Sequence, residues 1–339
     1  YASRKINLIK TKKGYVSCSR AVTTGDTFLK AIIVVGEDGQ VINTIENKLN
    51  TKGGVYYQYI YENTDSGYIV YAYIDFRRPD IPYYNQVIYR LDKNFKILDS
   101  FFADSFNITP KNELAVGGMA PTTKDHYLLV SNSAKFSCDV NLLKYHIYLV
   151  EFDDKLRIKR KGAITNRNLS ISNSLFVDKN NILIYGRLAD STYCTSSLLV
   201  VSGRPYIAML DSNYKFKWEI NFEKGKNPSI ISLFSYSLEK TIRLKDGNFL
   251  AVGNYDYPSN LNPNNWEGRS GVLIKFDKDG NIIWSKKHRF DEAEYCPYTE
   301  FYLRDVAELS NGEIVAIGAV PLDCRSLDTN ESPQRGWLL

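Results

Sequence analysis

The nine residues FDKDGNIIW (276 to 284) constrain the fold more than any other stretch of the chain. They read as a strand, a tight turn and a second strand. Asp-Gly between apolar runs is a strong hairpin signal, because Gly280 takes the positive φ that a twist-matched turn needs. The same plan recurs in YRLDKNFKIL (89 to 98), VEFDDKLRIK (150 to 159), AMLDSNYKFK (208 to 217) and, more weakly, IVVGEDGQVI (33 to 42). One turn used so often marks a repeat.

A second hairpin family lies between these: IKTKKGYVSCS, YENTDSGYIVYA, APTTKDHYLLVS, FVDKNNILIYG, IRLKDGNFLAVG and AELSNGEIVAIG. Their second strands begin near Tyr15, Tyr68, Tyr127, Ile182, Phe249 and Ile314. A spacing of roughly 50 to 70 residues suits four short strands per unit, the period of kelch-like propeller blades. With the strands of a unit called first to fourth, the fifth unit is expected at about 234–244, 248–254, 270–277 and 281–288. Composition agrees. Tyrosine is abundant at 25 and methionine scarce at 2, which favours pleated surfaces, and no segment carries a 3.6-residue apolar stripe over a dozen residues. The expected fold is all-β, a β-propeller of six four-stranded blades forming one domain over 1–339, with seven blades as the alternative. RGWLL (335 to 339) opens only a third strand in the last unit, so its fourth is expected from residues outside this sequence or from a partner, since an unpaired edge is a template for pairing.

LKDGNFLAVG, GVLIKFDKDGNIIWSKKH, LSNGEIVAIG and the closing RGWLL resemble the repeat of secreted, outer-surface β-propeller proteins of Bacteroidota. That repeat runs DGG-hydrophobic-G, then W-hydrophobic-K-D-x-x-G-x-hydrophobic-x-W. The match is good over 236–339 and degenerate before it. The resemblance implies an architecture and an exported, envelope-associated protein, and it brings no catalytic residues. A first residue Tyr1 in place of Met fits a processed chain that has lost an export signal.

A net charge of +5, from 43 basic and 38 acidic residues without a block of like charge, gives no reason to expect nucleic acid. The basic runs KTKK (10 to 13) and RIKRK (157 to 161) read as solvated turns and a strand face. No apolar run reaches the ~18 residues of a membrane span.

Second-to-third-strand connections are expected to be long, at about 75–86, 132–144, 188–204, 255–269 and 320–335, while the other turns are short. Long loops on a rigid scaffold are where binding concentrates. Arg77, Arg78, Tyr83, Tyr84, Tyr193, Tyr255, Asp256, Tyr257 and Trp266 are therefore the candidate binding residues, with a composition suited to a protein or glycan ligand.

The five cysteines form no CxxC and have no histidine cluster beside them, so neither a metal nor a cofactor is expected. Cys138 and Cys194 fall in connections of neighbouring units, as do Cys296 and Cys324. The hypothesis is that each pair forms a disulfide suited to export and that Cys18 stays free in a strand. His126, His146 and His288 are scattered, and GxSxG, HExxH and P-loop patterns are absent. Carboxylates alone suffice for glycoside hydrolysis, and Asp75, Asp190, Asp256 and Asp323 stand at the ends of second strands, although turns also use Asp there. FDKDGN resembles part of a calcium loop but lacks its closing Glu. The sequons at Asn107, Asn168 and Asn330 carry no weight without a glycosylating host.

The leading expectation is a non-enzymatic exported module. It binds an envelope or secretion-system protein, as cargo or accessory of type IX secretion or as a surface lipoprotein of a nutrient-import complex. The alternative is a propeller that binds or hydrolyses glycans. The cysteine hypothesis is tested by intact mass after denaturing alkylation with and without reduction: one alkylated thiol is expected without reduction, and five would end the proposal.

Overall fold

A computed structural model describes residues 7–11, 14–22, 28–46, 55–77, 82–102, 114–123, 125–134, 145–167, 169–194, 199–222, 237–258, 266–288, 302–321 and 334–338. Among them the chain is all β and holds six antiparallel meanders. Sheet I is β1 (Asn7–Thr11), β2 (Gly14–Val22), β3 (Phe28–Val35) and β4 (Val41–Glu46). Sheet II is β5 (Val55–Glu62), β6 (Tyr68–Arg77), β7 (Pro82–Leu91) and β8 (Ile97–Phe102). Sheet III is β9 (Leu114–Thr123), β10 (His126–Ala134), β11 (Tyr145–Asp153) and β12 (Ile158–Arg167). Sheet IV is β13 (Leu169–Asp178), β14 (Asn181–Cys194), β15 (Leu199–Asp211) and β16 (Phe216–Asn221). Sheet V is β17 (Ser237–Arg243), β18 (Phe249–Pro258), β19 (Trp266–Phe276) and β20 (Ile282–His288). Sheet VI has three strands, β21 (Tyr302–Glu308), β22 (Ile314–Pro321) and β23 (Gln334–Leu338). Five four-stranded antiparallel sheets in strict sequence order are blades of the β-propeller class, as the repeat predicts. No helix among the described residues is long and apolar enough to cross a membrane.

The chain divides into two compact units. One comprises Tyr1–Phe136 and His146–Thr165, with sheets I to III; the other comprises Ser137–Tyr145 and Asn166–Leu339, with sheets IV to VI.

Eight turns between strands share one backbone form. In the opening stretch, Asp277 N donates to Asn281 O at 3.0 Å and Gly280 N donates to Asp277 O at 3.2 Å. The same two bonds close the turns that begin at Gly36, Asn63, Asp92, Asp153, Asp211, Leu244 and Leu309. The turn is thus a three-residue loop whose last member lies in the left-handed region, rather than a two-residue turn. That member is Gly39, Gly247, Gly280 or Gly312 in four turns, but Ser66, Phe95, Leu156 or Tyr214 in the others, with φ between 59° and 65°. A carboxylate at the first position caps the turn from within: Asp92, Asp153, Asp211 and Asp277 each accept from two amides through Oδ1. Where the first residue is apolar, Asp246 at the third position accepts from Asn248 N instead.

A large side chain in a strained conformation needs a reason, and packing supplies it. Phe95 stacks on Tyr68 with centroids 4.5 Å apart, and Leu156 and Tyr214 are buried. Sheet V places Gly280 here because Trp218 of sheet IV already covers the site. Its indole N–H donates to Lys278 O at 3.0 Å, and a Cβ on Gly280 would lie 2.9 Å from its ring. The third residue of the fourth strand and the left-handed residue of the next sheet vary together: Trp218 goes with Gly280, Asn43 with Phe95, and Asp99 with Leu156.

Sheets II and V are covered on both faces within their units. In sheet V, Phe249, Ala251, Val272, Ile274 and Phe276 pack with Leu183, Tyr185, Ile207 and Met209 of sheet IV. The alternate residues Leu250, Val252 and Leu273 pack with Leu303, Val306 and Ala316 of sheet VI. A strand buried on both faces reads as a near-continuous apolar run, as in FLAVG and VLIKF. Between sheets II and III the contact is rich in aromatic rings: Tyr61 of sheet II and Tyr127 of sheet III lie with centroids 6.0 Å apart, flanked by Tyr59–Tyr71 at 6.0 Å and Tyr127–Phe152 at 5.7 Å. Tyrosine is so common because it fills such an interface and still reaches a polar group: Tyr61 Oη donates to Met119 O at 2.6 Å, and Tyr206 Oη to Glu219 at 2.7 Å.

Polar bonds join the turns of neighbouring sheets. Lys245 Nζ donates to Leu309 O and Ser310 O at 2.6 and 2.8 Å, its amide donates to Glu308, and Thr64 Oγ1 donates to Asp154 at 3.2 Å. Inside sheet V, Lys275 lies 2.6 Å from Asp246 Oδ2; that ion-paired hydrogen bond and the Asn248 bonds hold the carboxyl at a pKa of about 2. Burial opposes ionisation of Asp153, yet hydrogen bonds from Arg157, Lys159 and the Lys155 amide hold it well below the ordinary range.

Two outcomes follow. Gly280→Ala costs about 1–2 kcal/mol for the left-handed backbone, as does Gly247→Ala, plus an excess from the indole contact that vanishes in a Trp218→Ala background; a urea double-mutant cycle measures it. Asp246 titrates at about 2 when folded and at ~3.9 when unfolded. Its contribution is therefore present above ~pH 4 and lost as pH falls through the folded value. The difference in thermal midpoint between wild type and Asp246→Asn should shrink from pH 6 to pH 2, and a constant difference would refute the assignment.

Candidate functional surface

Within each sheet, the hairpin between second and third strands emerges at the end opposite the short turns. In the second unit the turn ends of sheets IV, V and VI lie together, since Trp218 meets Lys278 and Lys245 meets Leu309 and Ser310. Their second-to-third-strand hairpins accordingly share the other end. Sheets II and III are aligned likewise in the first unit through Thr64 and Asp154.

Of the segments expected as long loops, 75–86, 188–204 and 255–269 are strand wherever they are described, and most of 132–144 and 320–335 lies outside the described residues. β6 and β7 stay paired out to Arg77↔Pro82, although β5 reaches only Ile74 and β8 only Val87. β14 and β15 continue to Cys194↔Leu199, beyond the last partners of β13 at Leu188 and β16 at Tyr206. β18 and β19 continue to Pro258↔Trp266, beyond those of β17 at Asn254 and β20 at Gly271. Among the described residues, these three sheets thus end in two-stranded ribbons that run past their flanking strands, as does sheet I, where β2 and β3 stay paired to Val22↔Phe28, beyond the last partners of β1 at Cys18 and β4 at Ala31. Ser191–Tyr193 and Leu199–Ser202 are β-branched, hydroxyl or apolar residues that extend a ladder readily.

This corrects the placement of most candidate binding residues. Arg77, Tyr83 and Tyr84 stand on the sheet II ribbon, with Tyr83 opposite Phe76 and Tyr84 opposite Asp75. Tyr193 stands opposite Val200 on the sheet IV ribbon. Tyr255, Asp256, Tyr257 and Trp266 stand on the sheet V ribbon, with Asp256 opposite Arg269 and Tyr257 opposite Gly268. Arg78 lies outside the described residues. Asp75 and Asp256 occupy the same register position of their second strands, and Asp190 is the bulged residue between Ala189 and Ser191. Asp323 lies outside the described residues, as do Cys138, Cys296, Cys324 and the three sequon asparagines. Cys194 ends β14 rather than lying in a loop, and Cys18 is a free, buried thiol in β2 whose pKa burial pushes up.

A second feature escaped the sequence reading. The first strands of sheets II, IV, V and VI each carry a bulge at the same place, where the register skips Gln58, Ser172, Glu239 and Arg304. The partner strand must yield: a Cβ on Gly186, opposite Ile171, would lie 2.2 Å from Ser170 O and 2.7 Å from Ser172 N. In sheets V and VI the bulged residues meet, Arg304 Nη1 lying 3.6 Å from Glu239 Oε1 and Lys240 Nζ 3.7 Å from Asp305 Oδ1. Asn254 Oδ1 accepts from Leu303 N at 2.9 Å beside them. The signal was present as complementary charge at aligned places, LEKT against LRDV. These partly exposed pairs contribute on the order of 0–1 kcal/mol each, so they set the register of the two strands more than the stability.

No group of three or more His, Cys, Asp or Glu among the described residues could hold a metal ion. Asp277 of the calcium-like stretch is occupied by the amides of its own turn. His126 Nδ1 is 3.8 Å from Glu151, and His146 and His288 stand on β11 and β20. The run RIKRK is the edge strand β12, ion-paired through Arg157 and Lys159 to Asp153 and through Arg160 to Glu151.

No family model matches this sequence, and no curated protein matches it. Among solved structures, prolyl oligopeptidase B from Galerina marginata resembles it with TM-score 0.40 and 9% identity over 93% of this chain. This chain spans 38% of that enzyme. A glycoside hydrolase gives TM-score 0.41 and 7% identity over 85% of this chain and 87% of its own. MPT-4, a mannose phosphorylase from Leishmania mexicana, gives 0.37 and 10% over 78% and 80%. Likenesses this distant carry no argument about activity, and the blade assignment rests on the strand order alone.

Proposed function

We propose that this chain is a six-bladed, exported propeller of the Bacteroidota surface type, and that it binds an envelope protein through its ribbon ends without catalysis. The carrying observation is the set of ribbons on sheets II, IV and V, which among the described residues run past their flanking strands and bear an aromatic and charged sequence. A two-stranded ribbon is a stiffer presenter of side chains than a loop, so less ordering entropy is lost on docking. Tyr, Trp and Arg are also the residue types that dominate interface energetics. Export as type IX cargo or as part of a nutrient-import complex, with disulfides between Cys138 and Cys194 and between Cys296 and Cys324, belongs to this reading.

A second reading, glycan binding or hydrolysis, draws on Asp75 and Asp256 sharing one register position. One experiment separates the two. Wild type, a Tyr255→Ala/Tyr257→Ala/Trp266→Ala variant and an Asp75→Asn/Asp256→Asn variant are compared for retention of native envelope proteins, on a glycan array and in hydrolysis assays. The protein-binding reading expects a retained partner that the aromatic variant binds at least ~10-fold more weakly at unchanged thermal stability. Glycan binding or turnover lost in the Asp variant would replace that reading, and a partner held equally by all three proteins would remove the ribbons from it.

A further inference from the structure

The first unit contains an apolar pocket of about 100 Å³ between sheets I and II. Ile32 and Ile45 line it from sheet I, and Tyr57, Tyr89, Leu91, Phe95 and Ile97 from sheet II. Ile97, which opens β8, is an exposed apolar residue of that lining. Burial raises the pKa of Tyr89 to about 12, so its phenol stays neutral across the physiological range.

The repeat says what such a space holds. At the interface of sheets IV and V, the residues matching Ile32, Ile45, Tyr89 and Leu91 by place in the blade are Ile207, Ile220, Ile274 and Phe276, all buried in one cluster. Trp218 packs against that cluster, its ring 6.3 Å from Phe276 and lying over Gly280. At the sheet I–II interface the corresponding fourth-strand residue is Asn43, which is exposed. Phe95 stands where Gly280 does, but it turns onto Tyr68 and makes one wall of the pocket. The indole of one interface thus has no counterpart in the other, and an open apolar space remains.

We propose that this pocket is a binding site for one aromatic ring of a small-molecule ligand, seated where the repeat elsewhere seats its own tryptophan. Its volume is about two-thirds of the roughly 150 Å³ at which apolar protein cavities take up benzene, so the pocket takes part of a ring and its open mouth accommodates the remainder. Aromatic side chains at the walls favour a flat π-face over an aliphatic ring of equal size. The proposal is independent of the ribbon-end function, which lies on other residues.

Indole is the probe and cyclohexanol the non-planar control. Indole should bind with Kd on the order of 1 mM, shifting the δ-methyl NMR signals of Ile32, Ile45 and Ile97 while leaving Ile207 and Ile220 in place. Cyclohexanol should bind at least ~10-fold more weakly. The double variant Asn43→Trp/Phe95→Gly transplants the tryptophan–glycine pair, and should abolish the indole shifts and raise the melting midpoint. Ile97→Arg, a change at an exposed mouth position, should also abolish them should the double variant fail to fold. Absence of those methyl shifts at 10 mM indole, shifts that survive Ile97→Arg, or equal binding of cyclohexanol would each overturn the proposal.

Discussion

Everything in this molecule depends on closing the contact between one sheet and the next. A four-stranded meander has two apolar faces and cannot bury either alone, so each sheet needs neighbours before it is stable. The contact closes at one position in particular, where the left-handed turn residue of one sheet meets the fourth strand of the sheet before it. Gly280 beneath Trp218 is one solution, and Phe95 and Leu156, strained but packed, are the other. The strain of a non-glycine left-handed residue, of order 1–3 kcal/mol, is offset by the apolar surface that its side chain buries.

Much of this was legible because turns have chemistry that strands lack. Asp-x-x-Gly and Asp-x-x-aromatic between apolar runs placed the third-to-fourth-strand turns, and Gly280 takes its positive φ as expected. The ribbons were not legible because Pro79, Pro82 and the Asn-rich run near 260 read as breakers of the whole connection. Pro82 and Pro258 are in fact paired strand residues, opposite Arg77 and Trp266. The bulges were hidden for a different reason. Skipping Glu239 or Arg304 breaks the two-residue alternation locally, and only the complementary charges on the next strand hint that the break is shared. The left-handed Phe95, Leu156 and Tyr214 were invisible too, because no local rule favours a large side chain there and the reason lies in a neighbouring sheet.

The candidate surface divides similarly. Residue types were readable and their support was not: the aromatic and charged residues near 77, 193 and 257 stand on paired backbone, fixed in register by cross-strand hydrogen bonds. The basic stretch around Arg160 shows the converse. Its composition suggested a surface strand, and the carboxylates of Glu151 and Asp153 neutralise it from the adjoining strand.

Strict sequence order of the strands also bears on how the chain acquires its structure. Among the described residues, every hydrogen-bonded strand neighbour is the next or previous strand in the chain, so the ladders close small loops and few distant segments must find one another. A nascent chain can pair a whole meander soon after its fourth strand leaves the ribosome, but that sheet stays marginal until the following one covers it. Destabilising an early sheet should therefore show up as poor yield during synthesis before it shows up in the unfolding of finished protein.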